Sequence, residues 1–350
     1  MRALITGGAG FIGRHLSERL LNAGHQVTAI DNFSTGSRAN IAAFRDAENY
    51  RLVVGNICES ELLPSLVLES DFVFHLAASL GVRLIVERPT RCMENNLRGT
   101  ERVLQLAHDL GKPVLIASTS EVYGKSSTAC QEDQNLVFGN TRSLRWSYAC
   151  SKALNEFMGI AYSRHQGLPL VIARLFNTVG PFQSAQYGMV VPRFVRAALA
   201  NEPLEVYGDG QQSRCFCDVR DVTDALIALA QTERARGEVF NVGSDIEITV
   251  DELADRVIEL TNSRSSKVYV PFETVYGRHF EETRRRVPDL TKIRQAIGYE
   301  PRVTLDETII RIVRQMELDS SRAVAAPSPT AGASSCCAAN GEVTVGATSG

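Results

Sequence analysis

Apolar runs punctuate this chain at intervals that leave room for a helix between each pair. The first, opening "MRALIT", gives way to the glycine-rich turn "GGAGFIG", an amphipathic stretch and a second run ending at Asp31. That order predicts strand, helix and strand in succession. The runs "RLVVGN", "FVFHLAA", "VLIAS", "LPLVIARLFN" and "EVFNVG" follow, with helical stretches between them. Such alternation predicts an α/β fold, a Rossmann-type doubly wound parallel sheet whose ligands gather at the carboxyl ends of its strands.

From Trp146 the segment "WSYACSKALNEFMGIAYS" repeats Ala149, Ala153, Phe157 and Ala161 at four-residue spacing, widened by Leu154, Met158 and Ile160. This predicts an amphipathic helix with Tyr148 and Lys152 on one face. The pattern alone gives that pair no chemistry, because neighbours four apart are commonplace on helices.

The glycine turn is more informative. Gly7 lets the chain turn sharply after the first strand, Gly10 removes the side chain that would keep backbone from a pyrophosphate, and Gly13 lets helix and strand pack closely. Phe11 and Ile12 lie between them, at a helix start whose N–H groups face phosphates. Asp31, 18 residues after Gly13 and followed by Asn32, would accept hydrogen bonds from an adenosine ribose and repel a 2′-phosphate. NAD is therefore expected rather than NADP, with Arg38 nearby as the opposing feature.

Composition narrows the setting. With 350 residues and 44% hydrophobic content the chain can fill one large core or two adjoining ones. A formal net charge of −3 argues against a nucleic-acid binder, although "RRR" at 284–286 could meet phosphate. No apolar run reaches membrane-spanning length, and a strand beginning at residue 2 leaves no room for a signal peptide, so a cytoplasmic protein is expected. The eight cysteines include no CxxC pair with a nearby histidine, so no metal site is expected. From Ser320 the chain turns rich in Ala, Ser, Gly, Thr and Pro, which predicts a disordered tail over 320–350, with Cys336 and Cys337 incidental to it.

Six ordered motifs, "TGGAGFIG", "HLAA", "NLRGT", "STSEVYG", "YACSK" and "RLFNTVGP", together resemble the extended short-chain dehydrogenase/reductase family that acts on nucleotide sugars. The likeness continues through "VYGDGQQSRCFCDVRDV" to "RRRVPDLTK". It implies that Tyr148 is the acid/base residue, that Lys152 lowers its pKa and holds the nicotinamide ribose, and that Thr119 shares the proton of the sugar hydroxyl. It further implies that Asn56, Ile57, Leu76, Ala77, Ala78 and Asn96 belong to the dinucleotide site. Asn177, Val191, Arg214 and Arg286 match positions that meet the substrate.

The resemblance leaves the reaction open. All members considered oxidise the sugar at C4 and later return the hydride. Glu121 resembles the glutamate of UDP-glucuronate decarboxylases, and Arg286 before Pro288 and Asp289 resembles their pocket arginine. Against that reading, residues 77–89 are more similar to epimerases, Ala149 follows the tyrosine where decarboxylases carry an acid, and Val287 replaces their lysine. A UDP-sugar 4-epimerase acting on UDP-glucose or UDP-glucuronate is therefore expected first and a UDP-glucuronate decarboxylase second. A 4,6-dehydratase falls behind both because Ser120 replaces the usual aspartate, and a non-catalytic binding protein would have no use for Tyr148 and Lys152.

The expected organisation is a dinucleotide-binding domain over 1–181 with 215–245 returning to it, and a substrate lobe from 182–214 and 246–316. A homodimer is also expected, from the family resemblance.

Overall fold

The computed structural model describes residues 1–325, apart from 82–84, 86, 127, 187, 278 and 279. Seven parallel strands build the main sheet: β1 (Arg2–Thr6), β2 (Gln26–Asp31), β3 (Tyr50–Val54), β4 (Phe72–His75), β5 (Val114–Thr119), β6 (Leu170–Leu175) and β7 (Glu238–Val242). They lie in the order β7–β6–β5–β4–β1–β2–β3. The apolar runs of the sequence are continuous rather than alternating because helices cover both faces. Ile5, Phe74, Leu115 and Val171 point into one core with Leu16, Leu20, Leu226 and Leu229. Their chain neighbours Leu4, Val73, Ile116 and Leu170 point into the other with Leu66, Val103 and Leu104.

Strand order reverses at β1, which has β2 on one side and β4 on the other. The crevice beyond the carboxyl ends of β1 and β4 is therefore the place for a ligand. Gly7 sits at its edge with φ +74°, and a Cβ there would stand 2.9 Å from the backbone of Ala77. Only glycine allows these two strand ends to approach so closely.

A separate core fills the smaller lobe, where Phe194 and Val195 of the helix Val190–Leu199 meet Leu253 and Val257 of the helix Val250–Thr261, with Ile309 and Ile312. Three short strands, Glu247–Thr249, Ser213–Cys215 and Arg285–Arg286, pair beside it.

The structure departs from sequence expectation in three places. Leu290, Ile293, Ala296 and Tyr299 join the core of the main sheet although they lie within 246–316, and the Tyr299 hydroxyl donates to Gly243 O at 2.8 Å. The last helix runs Leu305–Ala325, so residues 320–325 continue a helix rather than starting a tail, while Cys336 and Cys337 lie outside the described residues. In the helix Trp146–Gln166 two large members of the predicted apolar stripe turn outward: Leu154 is 47% and Phe157 65% exposed. Ala149 and Ala153 are buried as expected and Met158 and Ile160 pack against the core, but the buried face also carries Lys152, Asn155 and Glu156. Burial of the polar members is allowed because each has a partner inside. Lys152 donates to Ala117 O at 2.8 Å, Asn155 to Thr100 Oγ1 at 2.9 Å, and Glu156 pairs with Arg174 at 2.7 Å.

Candidate active site

A cleft of about 760 Å³ runs from the carboxyl ends of β1 and β4 into the smaller lobe. Its first half is lined by Gly7, Gly10, Phe11, Ile12, Gly13, Asp31, Asn32, Asn56, Ile57, Leu76, Ala77 and Ala78. Thr119, Glu121, Tyr148 and Lys152 follow, and Asn177, Val191, Arg214 and Arg286 line the second half.

The first half is shaped largely by backbone. A Cβ on Gly10 would meet one atom within 4 Å, Gly7 O at 3.1 Å, so the missing side chain leaves space at the start of the helix Phe11–Asn22. The first N–H groups of a helix have no intrahelical acceptor and suit an anion. Asp31 is fixed at the end of β2 by Ala9 N at 3.0 Å and Phe33 N at 2.7 Å, while burial pushes its carboxyl up from the usual range. Arg38 is exposed, with its guanidinium 4.7 Å from the centre of the Phe33 ring. Asn56 Oδ1 accepts from Cys58 N at 3.1 Å, so one of its lone pairs is already used in a turn. This half fits a dinucleotide: an open glycine cradle at a helix start, then a carboxylate where a ribose would lie.

At the middle of the cleft, β5 ends at Thr119, whose Oγ1 accepts from Glu121 N at 3.2 Å. Burial and the nearby Glu121 carboxylate push the Tyr148 phenol up, opposed by a hydrogen bond with Thr119 and by Arg286. Burial pulls the Lys152 ammonium down to about 8, with Glu156 opposing. The resemblance implies a phenol lowered by Lys152, whereas here burial and Glu121 dominate and the phenol is pushed up.

Charged side chains shape the second half. Glu121 accepts from Arg286 Nη1 and, at 3.2 Å, from Arg145 Nη2. Burial would raise its carboxyl, but these two guanidiniums outweigh burial and hold it well below the usual carboxylate range. Arg286 Nη2 also donates to Asn177 Oδ1 at 3.3 Å. Arg214 donates to Glu282 Oε1 at 2.6 Å, and burial, with Arg286 nearby, pulls it down to about 10.

Asn96 does not reach the cleft. It is buried, with Oδ1 accepting from Ser79 N at 2.7 Å and Nδ2 donating to Ser79 O at 3.1 Å, so its amide fixes the segment after β4. Sequence reading also missed Arg145 and Glu282, both of which line the cleft. The position of Arg145, three residues before Tyr148, was the available signal; Glu282 carried none. Among the described residues no cluster of His, Cys, Asp or Glu could hold a metal, and no helix is long and apolar enough to cross a membrane.

Known proteins resemble this chain in sequence and fold. The family model described as GDP-mannose 4,6 dehydratase matches residues 4–312. A UDP-N-acetyl-alpha-D-glucosaminuronate decarboxylase of Bacillus cytotoxicus is 43% identical over 322 residues, covering 91% of this chain and 99% of its own. UDP-glucuronic acid decarboxylase 1 of Danio rerio is 34% identical over 313 residues, covering 89% of this chain and 72% of its own. The crystal structure of UDP-glucuronic acid 4-epimerase from Bacillus cereus, in complex with UDP-glucuronic acid and NAD, superposes with a TM-score of 0.82 at 26% identity, covering 91% of this chain and 99% of that one. This chain therefore belongs to the family described as GDP-mannose 4,6 dehydratase, among the extended short-chain dehydrogenase/reductases, and is a nucleotide-sugar enzyme of that class.

Proposed function

We propose that this protein is a NAD-dependent UDP-hexuronate decarboxylase, with the 2-acetamido uronate as its preferred sugar. The observation that carries the reading is Glu121, held ionised between Arg286 and Arg145 in the half of the cleft beyond Tyr148. Decarboxylases among the relatives, at 43% and 34% identity, support it over epimerisation. The epimerase reading rests on residues 77–89, of which 82–84 and 86 lie outside the described residues, and on Ala149 and Val287.

Gly7, Gly10, Phe11, Ile12 and Gly13 would hold the pyrophosphate of NAD, Asp31 the adenosine ribose, and Lys152 the nicotinamide ribose. Asn32, Asn56, Ile57, Leu76, Ala77 and Ala78 complete its walls. Arg38 lies over Phe33, and Asp31 disfavours a 2′-phosphate, so NAD rather than NADP is the cofactor. When bound, NAD takes the hydride from the sugar's C4 and later returns it.

Tyr148 removes the proton of the C4 hydroxyl, with Thr119 bonded to both partners and Lys152 stabilising the phenolate. The resulting 4-keto uronate is a β-keto acid. Its bond from C5 to the carboxylate breaks, carbon dioxide leaves, the electron pair moves into the C4 carbonyl, and C5 then takes up a proton. Glu121 repels the carboxylate of the substrate while the product carries none, which favours the loss. Arg286 orients that carboxylate, Arg214 pairs with the diphosphate, and Asn177 and Val191 shape the passage between them. Ser120 offers no comparable acid for dehydration.

A homodimer belongs to the same reading, because Leu154 and Phe157 leave an apolar face on the helix Trp146–Gln166 for a second copy to cover. Light scattering of a strict monomer would remove it. The function itself is tested by incubating the NAD-loaded protein with UDP-glucose, UDP-glucuronate and UDP-N-acetylglucosaminuronate. The expected result is loss of carbon dioxide from the two acids, faster from the acetamido sugar, and no new product from UDP-glucose. Interconversion of the acids with their C4 epimers at unchanged mass would overturn it.

A further inference from the structure

Three buried arginines and two glutamates in the second half of the cleft form one continuous chain of contacts. Arg286 holds one oxygen of Glu121, and Arg145 Nη2 holds the other at 3.2 Å. Arg145 Nη1 then donates to Glu282 Oε1 at 2.9 Å, and the same oxygen accepts from Arg214 Nη2 at 2.6 Å and Thr283 N at 2.8 Å. Three cations against two anions leave this chain positive, which suits a ligand of higher negative charge.

Both glutamates occupy arginines that the substrate needs: Glu121 sits on Arg286, and Glu282 on Arg214. Arg145 is the described residue that touches both glutamates, and its own place does not depend on either. Nη1 donates to Glu281 O at 2.5 Å, and the guanidinium lies 5.3 Å from the ring centres of both Trp146 and Phe280. The Nε groups of Arg145 and Arg286 are buried without a partner, so the chain retains unused donors. Buried arginines left unpaired are strongly destabilising, so a site awaiting a dianionic ligand is stabilised by anions of its own.

We propose that Glu121 and Glu282 stand in for the anions of the substrate, and that Arg145 is the positioning residue that keeps both glutamates when the uronate carboxylate takes Arg286 and the diphosphate takes Arg214. The proposal rests on the reading of Arg214 and Arg286 given above. It adds a source of specificity. A neutral UDP-hexose displaces Glu282 but leaves Glu121 on Arg286, whereas a UDP-uronate frees both.

Calorimetric titration of the NAD-loaded protein with UDP tests the diphosphate end without requiring turnover. Glu282→Gln should tighten UDP binding several-fold, because a neutral amide competes less well for Arg214. Arg145→Gln should weaken it about tenfold, since Glu282 then has Arg214 as its one remaining guanidinium. The double variant Arg145→Gln with Glu282→Gln should bind UDP as tightly as Glu282→Gln alone, several-fold tighter than the parent, because the loss of Arg145 acts through the charge of Glu282. A purely structural Arg145 would weaken binding about tenfold in the Glu282→Gln background as well, and that result overturns the proposal. If Arg145→Gln does not fold, Glu282→Gln decides alone: tightening supports the proposal, and unchanged or weaker binding overturns it. Arg214→Gln is the control. Undiminished UDP affinity there removes the diphosphate reading and the proposal with it, whereas weakening there together with weakening in Glu282→Gln removes the proposal alone.

Discussion

The two halves of the cleft are built from different materials. Around Gly10 the walls are glycines, a helix start and small apolar residues, with a carboxylate tied to two backbone N–H groups. Beyond Tyr148 the walls are long charged side chains tied to one another, Arg145, Arg214 and Arg286 with Glu121 and Glu282. Backbone recognition suits a ligand that stays the same whatever the reaction. Side-chain recognition suits the part of the chemistry that decides between reactions, because a charge can be added or removed by one substitution. Under the proposed function, the hydride chemistry belongs to the first half and the fate of the 4-keto sugar to the second.

That contrast can be broken or sharpened by substitution. The largest effect belongs to the boundary itself. Tyr148→Phe removes the proton relay while keeping the ring, and turnover should fall by about 10²–10⁴-fold on every sugar, with UDP affinity nearly unchanged. Retention of activity within a few-fold would remove Tyr148 from the chemistry.

Next comes a change confined to the second half. Arg286→Ala leaves Glu121 with Arg145 and should cost about 3–5 kcal/mol in kcat/KM on a UDP-uronate, with a much smaller loss in the binding of UDP-glucose. Equal losses on acidic and neutral sugars would move Arg286 to the diphosphate.

The third test reads Lys152 through stability. Its folded pKa, about 8, lies below the 10.5 of an exposed lysine, so the folded protein gives up that proton more readily than the unfolded chain. The Lys152 contribution to stability therefore rises with pH between about 8 and 10.5. Lys152→Met, which has no proton to lose, should be stabilised relative to the parent below that window. Its advantage should shrink by about 1.4 kcal/mol per pH unit across it. A constant difference from denaturant titrations at several pH values would show that Lys152 is not desolvated.

The smallest expected effect lies in the first half. Asp31→Asn should raise the affinity for NADP relative to NAD by about 1–2 kcal/mol without changing the preference among sugars, because only the charge facing the ribose changes. A shift in sugar preference would mean that the halves are not separable.

The same contrast explains what was legible in the sequence. Gly7, Gly10, Gly13 and Asp31 act through local spacing on one strand, turn, helix and strand, and spacing is visible in a sequence. Tyr148 and Lys152 share a helix turn and were visible in the same way. The width of the buried face was less legible: Ala149 and Ala153 turn inward as the pattern said, but Leu154 and Phe157 do not, because buried partners such as Ala117 O and Arg174 draw Lys152 and Glu156 inside in their place. Glu121, Arg145, Arg214 and the pair Glu282 and Arg286 come from four separate segments. Resemblance supplied Glu121, Arg214 and Arg286; Arg145 and Glu282 became visible only when folding brought them to a shared oxygen and its neighbours.

The central claim is that the second half of the cleft is built to remove a carboxylate. Turnover of UDP-N-acetylglucosaminuronate in D₂O by the NAD-loaded protein, followed by mass and proton NMR, tests it most directly. The account predicts release of carbon dioxide in equal amount with a product that lacks the carboxylate and carries one solvent deuteron at C5. A product of unchanged mass, inverted at C4 with its original hydrogen still at C5, would contradict it.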